Sequence, residues 1–178
     1  MVKKICVVGI DPGIRGGLSL LIGTKNKIEY CVAKAAPTIS VEIKKNKFRD
    51  RVDELSIVPL LSGWNVSYKI DGVFIERQHV ISKQGLVSSG VTMEGYGLYK
   101  GICAGLGLKY FILEAKEWQA DYDFSSNDDT KDGSISWAKR LFPNVDLFRN
   151  SRCRTESDGM SDSLLIAHFG LSHWDDIN

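Results

Sequence analysis

Cysteine is scarce and scattered: Cys6, Cys31, Cys103 and Cys153 form no CxxC pair, which removes the usual spacing of a zinc site. They read as reduced thiols of an intracellular protein, Cys6 in a predicted core strand and Cys103 in a predicted helix. No run approaches the roughly 18 consecutive apolar residues of a membrane span. The start MVKKICVVGI meets a charged residue too early for a signal-peptide core, so a soluble chain with no membrane partner is expected. Net charge is only +1, and an overall basic nucleic-acid binder is thereby disfavoured; any electrostatic footprint must be local. The glycines after residue 11 are followed by neither a Gly-Lys-Ser/Thr nor a helical pattern, which sets a phosphate-binding loop aside. The acidic stretch 121–133, DYDFSSNDDTKDG, lacks the ligand spacing and closing glutamate of an EF-hand and reads as an exposed loop.

What remains is an α/β chain of 178 residues, long enough to bury a core without staples and read as a single domain over 1–178. Residues 5–10 are apolar apart from Gly9, the pattern of a strand buried on both faces. Pro12, Gly13, Gly16 and Gly17 turn the chain back into a second strand at 18–22, and a third follows at 28–33, an antiparallel meander. Residues 35–46 read as an irregular connection. The spacing of Val52, Leu55, Val58 and Leu61 predicts a helix over 48–61, weakened by Pro59. Strands are expected at 70–76 and 109–113. A helix is expected to begin among the serines at 88–89 and continue through 93–107, and two more at 134–142 and from Asp158 onward. The glycines and alanine at 95, 97, 101, 104 and 105 are poor helix formers at about 1 kcal/mol per glycine, which calls for close packing within the fold or across a dimer.

Acids recur where apolar strands end. Asp11 closes the first strand and Glu76 closes IDGVFIE; neighbouring strands about 4.8 Å apart would bring both carboxylates to one sheet edge. Two such charges repel unless a cation lies between them. Asp158 and Asp162, four apart, share a face of the last helix, and that face continues through Leu165, Ile166 and Phe169 toward the core. Each acid also has a plain reading: Asp-Pro-Gly is a turn, Glu76-Arg77 a surface ion pair, and Asp158 a helix cap or dipole partner. Taken together, four carboxylates are hard oxygen ligands suited to Mg²⁺ or Mn²⁺. Two such ions in one site would support an in-line phosphodiester displacement.

The segments VVGIDPGIRGGLSLL, VFIERQ, KEWQ, SISWAKRLFP and RCRTESDGMSDSLLIAHFG resemble, in order and spacing, the RuvC-like Holliday junction resolvases, especially the phage and organelle type. The resemblance implies a ribonuclease H-like fold, a five-stranded mixed sheet with its first three strands antiparallel, flanked by helices. It implies a homodimer that makes paired cuts across a four-way DNA junction, one site per scissile strand, with two Mg²⁺ ions per site and Mn²⁺ able to substitute. Asp11, Glu76, Asp158 and Asp162 match the four metal-binding acids of the family. The acid pair in the last helix is spaced by four, as in the phage-type pattern, and Ser163 stands where alanine is common. His79 holds the place of an aromatic wedge, and Lys131 resembles a lysine that contacts DNA near the cut. The glycine-rich helix matches the region such dimers pair through. Expected contacts to DNA phosphates are Lys44, Lys45, Lys47, Arg49, Arg51, Lys83, Lys131, Arg149, Arg152 and Arg154. The expected place of action is the cytoplasm or nucleoid, or the host cytoplasm for a viral chain. Rival expectations are a ribonuclease H-like nuclease on RNA–DNA hybrids or other branched DNA, and a junction-binding protein without catalysis.

Overall fold

A computed structural model describes residues 3–80, 85–124 and 130–178, with backbone alone for 130–132. Its centre is β1 (Ile5–Asp11), where Val7, Val8 and Ile10 are wholly buried; each such side chain contributes about 1.5–3 kcal/mol by leaving water. β1 pairs antiparallel with β2 (Gly17–Thr24), and β2 pairs antiparallel with β3 (Lys27–Ala35), with a register irregularity at Ile22/Gly23.

On the other side β1 runs parallel to β6 (Gly72–Glu76), which runs parallel to β7 (Tyr110–Leu113), giving the order β3-β2-β1-β6-β7. The mixed five-stranded sheet with its first three strands antiparallel is thus as expected from the sequence. Parallel pairing requires crossovers, and two helices supply them: α1 (Glu54–Tyr68) before β6 and α2 (Leu86–Gly105) before β7.

Period-2 alternation sends successive side chains to opposite faces. Cys6, Val8, Ile10, Val73 and Ile75 point into a core shared with Ile57 and Leu61 of α1 and Tyr96, Tyr99 and Cys103 of α2. Val7, Leu21 and Phe74 point into a second core with Leu164, Leu165 and Ile166 of α5 (Asp158–Ser172). The second core is closed by α3 (Ala115–Gln119), α4 (Thr130–Leu141) and α6 (Trp174–Ile177). All four cysteines are free; burial pushes the Cys6 and Cys103 thiols up to about 12, Cys6 with a smaller push from Asp71. Among the described residues no helix is long and apolar enough to cross a membrane.

Residues 35–61 depart from the sequence reading. Instead of a loop and a helix from 48, the chain forms a two-stranded ribbon, β4 (Thr38–Lys44) and β5 (Lys47–Val52), and the helix starts only at Glu54. The alternation Phe48-Arg49-Asp50-Arg51-Val52 is a strand period, and Asn46 takes the left-handed turn at φ 60° that a tight hairpin needs and asparagine tolerates. Asp53 is the residue that switches the pattern: its carboxylate accepts from the Ser56 hydroxyl at 2.5 Å and its carbonyl from the Ile57 amide at 3.1 Å. Pro59 does not end α1, which runs to Tyr68 and stops at Lys69 in the left-handed region. α2 begins at Leu86, just ahead of the serines, and α4 at Thr130 rather than 134, inside the segment read as a loop; residues 125–129 of that segment lie outside the described residues.

Candidate active site

Strand parity selects the face on which the acids meet. Asp11 shares its face with Val7 and Gly9, and Glu76 shares its face with Phe74, so both carboxylates project on the α5 side of the sheet. Ile10 pairs with Ile75, which places Asp11 and Glu76 side by side one residue further on, at the ends of adjacent parallel strands.

α5 comes close to these strands because small residues line the contact. A Cβ on Gly9 would stand 2.2 Å from the Ser163 carbonyl oxygen and 2.4 Å from the Ala167 nitrogen. A Cβ on Gly17 would meet Gly159 O and Met160 Cα at 2.8 Å. Backbone therefore lies on backbone, and no residue but glycine fits at either place. The Ser19 and Ser163 hydroxyls, both buried, join across this contact at 2.6 Å, and the Ser163 hydroxyl lies 2.8 Å from the Met160 carbonyl. Ser157 caps α5, its hydroxyl accepting from the Met160 amide at 3.4 Å, which leaves Asp158 in the first turn where the helix dipole favours an anion.

The result is a cluster of four half-buried carboxylates. The Asp11 carboxyl is pushed up to about 8, first by burial, then by the charges of Asp162 and Glu76; the Gly13 amide, donating to Oδ1 at 3.0 Å, opposes this, and Asp158 adds to it. Glu76 is also raised by burial, against hydrogen bonds from Trp118 and Gln78 and the nearby His79. Trp118 Nε1 donates to Glu76 Oε1 at 3.1 Å and Gln78 Nε2 to Oε2 at 3.3 Å. α3 holds that indole in place; its first turn is closed by Glu117, whose carboxylate accepts from the Glu114 amide at 2.6 Å. The charge of Asp11 also reaches the buried Tyr99 phenol on the opposite face, which burial, above all, holds well above its ordinary range.

Oxygen donors from Asp11, Glu76, Asp158 and Asp162 suit a small hard divalent cation, and a buried acid flanked by three others is the environment such a cation stabilises. Among the described residues no group of three or more His, Cys, Asp and Glu side chains is closed around one point tightly enough to hold a metal as it stands. Asp162, Glu76 and Asp158 are all within electrostatic reach of Asp11.

The basic candidates fall in three places. Lys44, Lys45, Lys47, Arg49 and Arg51 all belong to the β4–β5 ribbon. The register pairs Ile39 with Arg51, Val41 with Arg49 and Lys44 with Lys47, so Arg49 and Arg51 share one ribbon face. Arg51 forms an ion pair with Glu94 of α2. Arg49 lines a cleft of about 360 Å³ with Ile14, Ser88, Val91 and Thr92, beside the turn that follows Asp11. Arg152 and Arg154 are exposed in the connection before α5. His79 is exposed and bonded to Glu114 at 2.7 Å, a carboxylate that Arg77 also holds at 2.7 Å; these partners keep Glu114 below the usual carboxylate range. Lys83 lies outside the described residues, as does the Lys131 side chain at the start of α4.

Arg149, one more DNA contact expected from the sequence, donates to backbone carbonyls of residues 14–16. Trp118, Gly9 and Gly159 also support the site and were not singled out by the sequence; Trp118 at least lies within the KEWQ segment, and Gly9 is the single gap in the first apolar run. His168 and His173 stay structural: the Tyr122 hydroxyl and His168 Nδ1 are 2.9 Å apart, and His173 pairs with Asp121 at 2.8 Å.

No protein-family sequence model matches the chain, and no curated protein sequence does. Solved structures do. Thermus thermophilus RuvC in complex with Holliday junction substrate aligns over 97% of this chain and 97% of its own, with a TM-score of 0.58 at 11% identity. The yeast mitochondrial Holliday junction resolvase Ydc2 aligns over 96% of this chain and 78% of its own, at 0.53 and 17%. The fowlpox virus resolvase in complex with substrate Holliday junction DNA aligns over 97% and 99%, at 0.52 and 16%. The fold is accordingly RuvC-like.

Proposed function

We propose that the chain is a divalent-metal-dependent endonuclease that resolves four-way DNA junctions by paired phosphodiester hydrolysis. The observation that carries this reading is the meeting of Asp11 and Glu76, from adjacent strand ends, with Asp158 and Asp162 on α5, on a fold shared with resolvases, two of them solved with junction DNA. Asp11, Glu76, Asp158 and Asp162 are the residues that would hold Mg²⁺ or Mn²⁺. Two such ions, when bound, supply activation of a water molecule and charge neutralisation at the leaving oxygen. Trp118 and Gln78 orient Glu76, and the Gly13 amide orients Asp11.

Lys44, Lys45, Lys47, Arg49 and Arg51 bind the phosphate backbone of a junction arm, with Lys83, Lys131, Arg152 and Arg154 as further phosphate contacts and His79 at the junction opening. Such contacts give affinity without sequence preference. Residues 1–178 act as one nuclease domain that pairs as a homodimer. Support for pairing comes from α2: a Cβ added at Gly90, Gly97, Gly101 or Gly105 meets nothing within 4 Å, so among the described residues no packing compensates these glycines.

The test is cleavage of a synthetic immobile four-way junction in Mg²⁺, with the nicks mapped on all four strands, beside an RNA–DNA hybrid duplex and a flap. Symmetric paired nicks on the junction alone are expected. Preferential cutting of the hybrid would move the assignment to a ribonuclease H-like activity, and junction binding with no cutting in Mg²⁺ or Mn²⁺ would leave a non-catalytic binder. Asp11→Asn is expected to reduce cleavage by about 10³-fold or more while junction affinity stays near wild type.

A further inference from the structure

Arg149 belongs to the connection between α4 and α5, and its guanidinium is taken up by three successive carbonyls of a distant segment. Nη1 donates to Arg15 O at 2.6 Å and to Gly16 O at 3.3 Å, and Nη2 to Ile14 O at 3.4 Å. That segment is the turn joining β1 to β2. It begins directly after Asp11, and the residue that follows it, Gly17 at the start of β2, pairs with Asp11 across the strands.

The same turn is touched by α5. A Cβ on Gly159 would stand 2.3 Å from Arg15 O and 2.5 Å from Gly16 Cα. Arg15 and Gly16 are therefore gripped from two sides, by the guanidinium and by the first turn of the helix that carries Asp158 and Asp162. The turn has other ties, Gly16 N to Gly13 O and Ala36 N to Gly16 O, both at 2.9 Å. Among the described residues Arg149 joins the carbonyls of 14–16 to the segment leading into α5, more than 130 positions away in sequence.

Three of the five guanidinium N–H donors, both of those on Nη1 among them, are directed at these fixed carbonyls, which commits the side chain's position to the turn. Its charge is also felt by the buried Tyr99 phenol, to which the Asp11 charge reaches as well. We propose that Arg149 is a positioning residue, which fixes the spacing between Asp11 and the Asp158/Asp162 pair by clamping the turn at 14–16 to the start of α5, and is not a DNA contact. The inference takes the acid cluster to be the cation site of the proposed nuclease.

The experiment compares full-length wild type, Arg149→Ala and Arg149→Lys in three measurements. These are Mn²⁺ binding by the DNA-free protein, junction affinity without divalent ions across a salt series, and cleavage across a Mg²⁺ series. A residue that orients ligands from behind is worth about 10- to 100-fold in metal affinity. Arg149→Ala is expected to weaken Mn²⁺ binding and raise the Mg²⁺ requirement by that much, with junction affinity and its salt slope unchanged. Arg149→Lys, which keeps the charge and loses the fork, should fall between alanine and wild type. A phosphate contact would do the opposite: weaker junction binding, a salt slope reduced by about one, and an unaltered metal requirement; that result overturns the proposal. If alanine abolishes the melting transition, the lysine variant decides, and wild-type Mn²⁺ affinity in it overturns the proposal as well. Should wild type cut no junction, the nuclease reading fails, while Mn²⁺ binding without DNA still reports on Arg149.

Discussion

α5 and α2 cover opposite faces of one sheet, and glycine serves opposite ends on the two. At the α5 contact Gly9, Gly17, Gly159 and Gly170 each face atoms that a Cβ would overlap, most of them backbone. On α2, Gly90, Gly97, Gly101 and Gly105 face open space, and only Gly95 lies close to anything, the Val52 side chain and the Pro12 carbonyl. A glycine in a helix costs about 1 kcal/mol against alanine. At α5 the return is close approach of helix to strand, which draws the two pairs of acids together. At α2 nothing among the described residues repays the cost, which supports a contact outside the chain.

The comparison breaks first at Gly9. Replacement by valine would drive a side chain into the Ser163 carbonyl and the Ala167 backbone, neither of which can move without displacing α5. Overpacking costs about 1–3 kcal/mol in ordinary cores and more against backbone, so chemical denaturation should find the variant unfolded or nearly so, with cleavage lost. Wild-type stability would mean that α5 does not rest on β1 at Gly9. On α2 the same logic predicts the reverse for single chains. Gly97→Leu with Gly101→Leu should leave the fold intact and convert dimer to monomer in sedimentation, with paired cutting replaced by single nicks or none. A dimer that survives both leucines removes this face from the interface.

A difference in pH response separates the two faces further. Asp11 has an ordinary value of 3.8 and rises to about 8 when folded without a cation, so between these limits the folded state holds the extra proton. Stability from this group is therefore complete below pH 3.8 and is lost as pH climbs toward about 8. The metal-free protein should melt at steadily lower temperature across that window, Asp11→Asn should lack this part of the slope, and Mg²⁺ should restore stability at the alkaline end. The smallest expected effect is that of Gly101→Ala added to the Gly97→Leu single variant, a gain of up to about 1 kcal/mol in denaturant unfolding. A loss there would place an unseen neighbour against α2.

Much of the fold was legible because β1 and α5 carry sustained apolar runs and β6 repeats the pattern of β1, a short β-branched and aromatic stretch closed by an acid. The acids were legible for the same reason: Asp11 and Glu76 interrupt such runs, and Asp158 and Asp162 precede one. The ribbon was not, since the stretch around Phe48 mixes a short strand period with the apolar spacing of the helix that follows, and only tertiary contact with α2 through Val52 and Arg51 separates them. Nor was the role of Arg149. From sequence an arginine in a polar connection is one charge among many, and its carbonyl partners lie at the other end of the chain.

The Trp118 indole gives the acid cluster an optical property. It is 1% exposed and hydrogen-bonded to Glu76 Oε1, so its emission depends on how much charge that oxygen carries and where it points. Any event that draws Glu76 toward a cation, or protonates it, should shift the fluorescence of this tryptophan, and the protein thereby contains its own gauge of site occupancy, readable without DNA, label or turnover.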